Sequence, residues 1–283
     1  MERIAQTNIQ LYNQLRERGL TLDELALVHR AYEFSASIYS GYYQADGKPF
    51  ASHCVGVASI LAHLDRSAAI VAAGLVHNVY GNGDFGDGRH YAVTDARRRL
   101  AREALGSEVE GLIYRFHRRF RDEWPTLADL RARLDGMDAI DRDLVLIELA
   151  DGLEKYVDGG VGYYGDGDWV DEGVAMHTDQ MKDIAGRLGQ PQLVEMIAAL
   201  IEDAPAADTA VLAALRPSDG RKYLELSVPR SCRRRIEVML RPIVRKLLMR
   251  YQPKTRVLRG MRQLSAALGT KLQRLKTVLS RAT

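Results

Sequence analysis

Three polar side chains stand out because they interrupt stretches of helical spacing that are otherwise apolar. His53 lies in the first turn of Ser52-His53-Cys54-Val55-Gly56-Val57-Ala58-Ser59-Ile60-Leu61, and His77, followed by Asn78, ends the run that begins at Ala68. Asp151 is embedded in Leu144-Val145-Leu146-Ile147-Glu148-Leu149-Ala150-Asp151. A bare carboxylate in so apolar a helix is prohibitively costly, so Asp151 needs a cation or strong donors. Neutral imidazole and carboxylate oxygen together are the ordinary ligand set for Mn, Fe, Zn or Co. Glu148, one turn before Asp151, shares its face and is placed to orient a ligand or a water. Any one of these residues alone is more often structural, a satisfied core histidine or a helix cap. Their joint occurrence points to a metal centre.

The elements that must position them are helices. Thr21-Leu22-Asp23-Glu24 is a capping box that predicts a helix to about Tyr42, and Ser107-Glu108-Val109-Glu110 predicts another to about Phe120. Between them the spacing predicts helices at roughly 52–63, 67–80 and 95–105, the last closed by Gly106; later ones follow at roughly 126–135, 139–157, 173–188 and 191–203. Strand-like alternation is confined to Tyr223–Val228, a weak candidate. The expected fold class is all-α, a helical bundle over residues 1–213 with a cationic amphipathic helical extension over 214–283.

The order of the anchors resembles a known family. Asp46-Gly47-Lys48-Pro49-Phe50-Ala51-Ser52-His53, an amphipathic helix, and then Ala72-Ala73-Gly74-Leu75-Val76-His77-Asn78 are similar to the hydrolase domain of the bifunctional (p)ppGpp synthetase/hydrolases, a member of the HD superfamily of metal-dependent phosphohydrolases. Ile147-Glu148-Leu149-Ala150-Asp151-Gly152-Leu153 is similar to that domain's later Asp-bearing helix. The resemblance covers about residues 25–160. It implies that His53, His77 and Asp151 occupy three of the four metal-ligand positions, with Asn78 at the fourth and Mn or Fe as the first expectation. Asn78 stands where the family has an aspartate, which exchanges an anionic ligand for a neutral amide oxygen and lowers the expected affinity. Gly81 and Asn82 stand where the family's (p)ppGpp hydrolases carry a Glu-Asp pair, and Gln44 is at or near the place of a nucleotide-contacting arginine, so the usual (p)ppGpp mechanism is not expected. His77, Tyr80, Gly81 and Phe85 also resemble an uncharacterised HD-like branch carrying H-x-x-Y-G-x-x-x-F.

Two Gly/Asp-rich loops follow the ligand-bearing helices, Gly81–Gly88 and Asp158–Asp168. Loops on a rigid scaffold often carry function, although turn chemistry alone explains such compositions. If the centre is catalytic, the chemistry expected is hydrolysis of a phosphate ester or anhydride on a small phosphorylated substrate. Asp84, Asp87 and His90 are then candidate general bases, and Lys48, Arg89 and Lys155 candidates to hold phosphate oxygens. Two further readings compete: a catalytically degenerate domain that binds a ligand or partner without turnover, placed at an anionic surface by its basic tail, and a redox centre that would need additional ligands, for which His63, His90, His117 and His177 are available.

The overall charge of +3 conceals a split. The last 70 residues hold 19 Lys or Arg against 3 acidic groups, whereas the first 213 hold 21 against 34. Within 229–283, Ile236, Leu240, Ile243 and Leu247, and then Leu264, Leu268, Leu272 and Leu275, form stripes flanked by arginines and lysines. Such a segment suits an anionic membrane surface, a polyanion, a partner helix, or the acidic body itself. No helix-turn-helix, zinc-finger or RRM signature supports sequence-specific nucleic-acid reading. Cys54 and Cys232 offer neither a disulfide framework nor a CxxC site. With no signal-peptide layout and no uncharged apolar run of spanning length, a cytoplasmic protein is expected, with peripheral membrane association as the alternative.

Overall fold

A computed structural model describes residues 3–44, 46–124, 126–163, 174–202, 209–215 and 228–232. The described chain is all-α: α1 Asn8–Glu17, α2 Leu22–Ile38, α3 Phe50–His63, α4 Ala68–Val76, α5 Val79–Asn82, α6 Asp95–His117, α7 Leu127–Arg133, α8 Ala139–Glu154, α9 Val174–Arg187, α10 Pro191–Ile197 and α11 Thr209–Leu215. The one β-type pairing among the described residues is an isolated bridge between Tyr43 and Pro49. None of the described helices is long and apolar enough to cross a membrane.

Capping chemistry sets most helix starts. Thr21 and Glu24 form the expected reciprocal box at α2. Thr7 and Gln10 form a second box that opens α1, a helix not anticipated from the sequence although T-x-x-Q is its signature. Thr94, Thr126 and Asp138 cap α6, α7 and α8 by accepting the backbone N–H three residues on, without the reciprocal bond. Two expected helices are shorter than their apolar runs: α2 stops at Ile38, and the run 67–80 breaks after Val76 and resumes as α5. The expected break at Gly106 is present as a residue with φ 84° inside α6, a backbone conformation open to glycine at little cost.

The core is built around α3 and α4. All nine residues of α4 and twelve of the fourteen in α3 are buried, the pattern of helices enclosed on every side. α4 packs on α2, α3 and α6, while α3 also packs on α8. Gly74 leaves room on α4 for the Leu61 side chain of α3, since a Cβ there would stand 2.6 Å from Leu61 Cδ1.

The expected 213/214 boundary falls inside α11, and the described chain through Cys232 belongs to one unit spanning Met1–Val238. The first residues of the cationic stretch lie on the body: Ser231 donates its hydroxyl (2.6 Å) and backbone N–H (3.1 Å) to Asp84. Residues 216–227 and 233–283, including nearly all of the strand candidate and of the amphipathic stripes, lie outside the described residues, as do 164–173.

Candidate metal centre

Three helices bring the candidate ligands together. His53 belongs to the first turn of α3, started by Pro49, whose carbonyl accepts the His53 N–H at 3.2 Å. His77 continues α4 by one helical residue (φ −54°, ψ −35°), and Asn78 (φ −98°, ψ 15°) turns the chain into α5. Asp151 and Glu154 occupy the last turn of α8. His53, His77 and Asp151 are all buried, and one nitrogen or oxygen from each lies within 4.8 Å of the others.

Asp151 Oδ1 stands 2.9 Å from His53 Nε2 and 3.4 Å from His77 Nε2. Ligand bonds of about 2.1 Å at about 90–110° place neighbouring ligand atoms roughly 3.0–3.4 Å apart, so these separations suit a shared cation. Although His53 Nε2 and Asp151 Oδ1 are close, they do not align as a hydrogen bond, and both are buried polar atoms without a hydrogen-bond partner among the described residues. Orphaned buried polar atoms are costly and demand an explanation, which an ion between them would provide.

The far side of each imidazole is fixed. His77 Nδ1 donates to the Gly74 carbonyl at 2.8 Å, and His53 Nδ1 donates to Glu154 Oε2 at 2.5 Å. Both rings therefore turn Nε2 toward Asp151, the arrangement by which partners behind metal-binding histidines set ring orientation and tautomer. Asn78 Nδ2 lies 2.9 Å from His77 Nε2. A half-turn of the amide brings Oδ1 to that position instead.

The electrostatics follow from burial and neighbours. Burial pushes the Asp151 carboxyl up, but the Lys155 ammonium, 3.2 Å from Oδ2, and the two imidazoles hold it well below the usual carboxylate range. Glu154 is likewise lowered despite its burial, by His53 and by Lys48, whose Nζ lies 2.7 Å from Oε1. Burial lowers the His53 pKa, yet Glu154 and Asp151 outweigh it and raise it overall.

The remaining sequence candidates have defined places. Lys155 and Lys48 lie at the centre, on Asp151 and Glu154 respectively. Asp84 fastens Ser231 and the Gly86 N–H. Burial raises its carboxyl, but these hydrogen bonds outweigh that and lower it. Asp87 is held below its ordinary value chiefly by a bidentate pair with Arg97 (2.9 and 2.5 Å). Arg89 is exposed, and its carbonyl accepts from Arg97 at 2.7 Å. His90 packs its ring on Tyr91 at 4.2 Å. The first Gly/Asp loop is therefore wound around Arg97, a buried cation lying over the Phe85 ring at 4.6 Å.

The H-x-x-Y-G-x-x-x-F residues divide between these two tasks. His77 faces the centre, whereas Tyr80 donates to Glu110 at 2.9 Å and stacks on Phe85 at 6.4 Å. Of the histidines considered for a redox centre, His63 contacts Arg18 at 3.2 Å and His117 packs against Tyr80 at 6.0 Å. The side chain of His177 lies outside the described residues. His53, His77 and Asp151 form the one such cluster among the described residues.

Sequence reasoning missed Glu154 and Tyr39. Glu154, three residues after Asp151 in the same apolar helix, meets the same test of a buried acid that first drew attention to Asp151. Tyr39 is buried, its hydroxyl has no hydrogen-bond partner among the described residues, and its pKa is raised by burial first, with Asp151 among the contributing charges. A tyrosine within an aromatic group with Tyr42 and Phe50 gives no such signal in sequence.

A family model described as "Domain of unknown function (DUF6817)" matches residues 34–119. The match runs from the second half of α2 through α6, and so includes His53, His77 and Asn78 but ends before Asp151 and Glu154. No curated protein matches the chain.

Proposed function

We propose that the chain is a metal-dependent hydrolase of a small phosphorylated substrate on a divergent HD-type fold, with His53, His77, Asn78 and Asp151 as the ligand set. The observation that carries this reading is the pair of orphaned buried atoms, His53 Nε2 and Asp151 Oδ1, 2.9 Å apart without a hydrogen bond, with His77 Nε2 beside them. A divalent Mn or Fe ion bound there supplies Lewis acidity, lowering the pKa of a water and polarising a phosphoryl oxygen. The chain's own residues supply the rest. Gly74 and Glu154 orient the two imidazoles. Lys155, about a quarter exposed, is placed to draw in and hold phosphate oxygens. The test is elemental analysis of the full chain after Mn or Fe supplementation, beside assays on phosphomonoesters and phosphodiesters. About one ion per chain and a turnover lost in Asp151→Asn are expected; metal-free protein after supplementation overturns the reading.

One observation favours a second reading. Lys155 already neutralises Asp151, and Asn78 adds no charge, which suits a degenerate site that holds a ligand without turnover. In that reading the basic segment 229–283 places the protein at an anionic membrane surface on the cytoplasmic side. Salt-sensitive binding to anionic vesicles, abolished by deleting 233–283 and unaccompanied by metal uptake, distinguishes it.

A further inference from the structure

We infer that Glu154 is a positioning residue that decides which nitrogen of His53 carries the proton, and thereby whether the metal centre exists. The inference rests on the metal reading of the site and adds a residue outside its ligand set. A neutral imidazole has one proton for two nitrogens. At His53 two carboxylates compete for it: Glu154 Oε2 at 2.5 Å from Nδ1, and Asp151 Oδ1 at 2.9 Å from Nε2. The first contact is an aligned hydrogen bond and the second is not. The proton therefore resides on Nδ1, and the Nε2 lone pair faces the position shared with His77 and Asp151. Were the proton on Nε2, no lone pair would face that position and His53 could not bind a cation there.

The surroundings hold Glu154 to this task. Its side chain is 1% exposed, and its other oxygen, Oε1, accepts from Lys48 Nζ at 2.7 Å and Gln6 Nε2 at 3.2 Å. One oxygen is thus fixed by a loop and by the N-terminal segment before α1, leaving the other for His53. Space for the carboxylate comes from Gly56, where a Cβ would stand 2.5 Å from both Glu154 Cγ and Oε1. Gly56 lies three residues after His53, on the same side of α3. Any side chain there would displace the carboxylate.

The experiment uses the full chain with 15N-labelled histidine. Long-range 1H–15N correlation spectra of the metal-free protein at alkaline pH assign the neutral His53 tautomer, and Co2+ titration with a competing chelator reads affinity and the visible spectrum of the ion. In the wild type the Nδ1–H tautomer is expected. In Glu154→Met, which keeps an unbranched chain but no acceptor, the Nε2–H tautomer is expected with Co2+ affinity about 10–100-fold weaker. Glu154→Gln retains an acceptor and should restore the Nδ1–H tautomer with intermediate affinity. Gly56→Ala, which leaves the carboxylate in the chain but moves it, should behave as Glu154→Met, so the outcome does not depend on one variant folding. An unchanged His53 tautomer in folded Glu154→Met or Gly56→Ala overturns the inference. If the wild type takes up no Co2+, the metal reading fails, and the tautomers alone still decide the role of Glu154.

Discussion

Replacing Asp151 by asparagine tests the centre through thermodynamics without requiring a substrate. The change preserves shape while removing the single formal negative charge among the four proposed ligands, the other three being two imidazoles and an amide. A ligand that binds only the folded chain stabilises it by about 2.7 kcal/mol at a hundredfold excess over Kd. At about 2–4 °C per kcal/mol for a domain of this size, Mn2+ or Co2+ at that level should raise the wild-type Tm by about 5–10 °C. Loss of a ligating carboxylate should weaken binding by at least the roughly 100-fold seen when supporting groups alone are removed. The same ion concentration then sits near Kd and contributes only about 0.4 kcal/mol, roughly 1 °C. Without metal, the variant should melt below the wild type, because a carboxylate held below its ordinary range by Lys155 and the two imidazoles contributes stability that an amide does not, so the metal-induced rise within each protein is the quantity compared. Differential scanning calorimetry with and without chelator measures all four melts. An equal metal-induced rise in both proteins, or none in the wild type, would refute the reasoning.

Other perturbations address the surrounding structure. Arg97→Ala removes a buried guanidinium and strips Asp87 and the carbonyls of Arg89 and Ala92 of their donor, so a loss of about 3 kcal/mol in urea unfolding is expected, with protease cleavage opening within 83–92. Burial would raise the Glu110 carboxyl, but Arg98, Arg102 and the Tyr80 hydroxyl hold it below its ordinary value. A depressed folded pKa contributes stability that is present above the unfolded value near 4.5 and is lost as pH falls through the folded one. Glu110→Gln should therefore lose stability at pH 7 yet show a shallower decline than the wild type below about pH 4.5, read from chemical denaturation across pH. Tyr39→Phe deletes a buried hydroxyl with no hydrogen-bond partner among the described residues: a purely structural tyrosine predicts a gain of about 1 kcal/mol with unchanged metal uptake, while a hydroxyl serving the site predicts altered uptake or turnover.

Much of the architecture could be read from the residues because capping and apolar spacing act locally. The boxes at Thr21 and the break at Gly106 are examples, and both appear where expected. The grouping of His53, His77 and Asp151 was legible for a related reason. An imidazole or carboxylate in a fully apolar helix has few explanations, and the helices carrying His53, His77 and Asp151 are enclosed on nearly every side. What escaped was pairing over distance. Nothing near Arg97 in sequence distinguishes it from Arg98 or Arg99, yet Arg97 is buried and organises a loop, while Arg98 reaches Glu110 twelve residues on. Gly56 resembles any small residue of a helix until α8 is set against α3. Asp84 reads in sequence as a loop acid or a candidate base, and its partner Ser231 lies 147 residues away.

α4 offers water no side of itself. From Ala68 to Val76 every residue is buried among α2, α3, α6 and α8, so the segment has no stable existence apart from its neighbours. During synthesis α2 and α3 emerge ahead of it, but α6 begins only at Asp95, so a greasy strip ending at His77 waits with one flank open. A stalled or truncated nascent chain ending within that interval would present the sticky surface that chaperones bind, and the second imidazole would gain its final setting only once α6 and then α8 had closed over it.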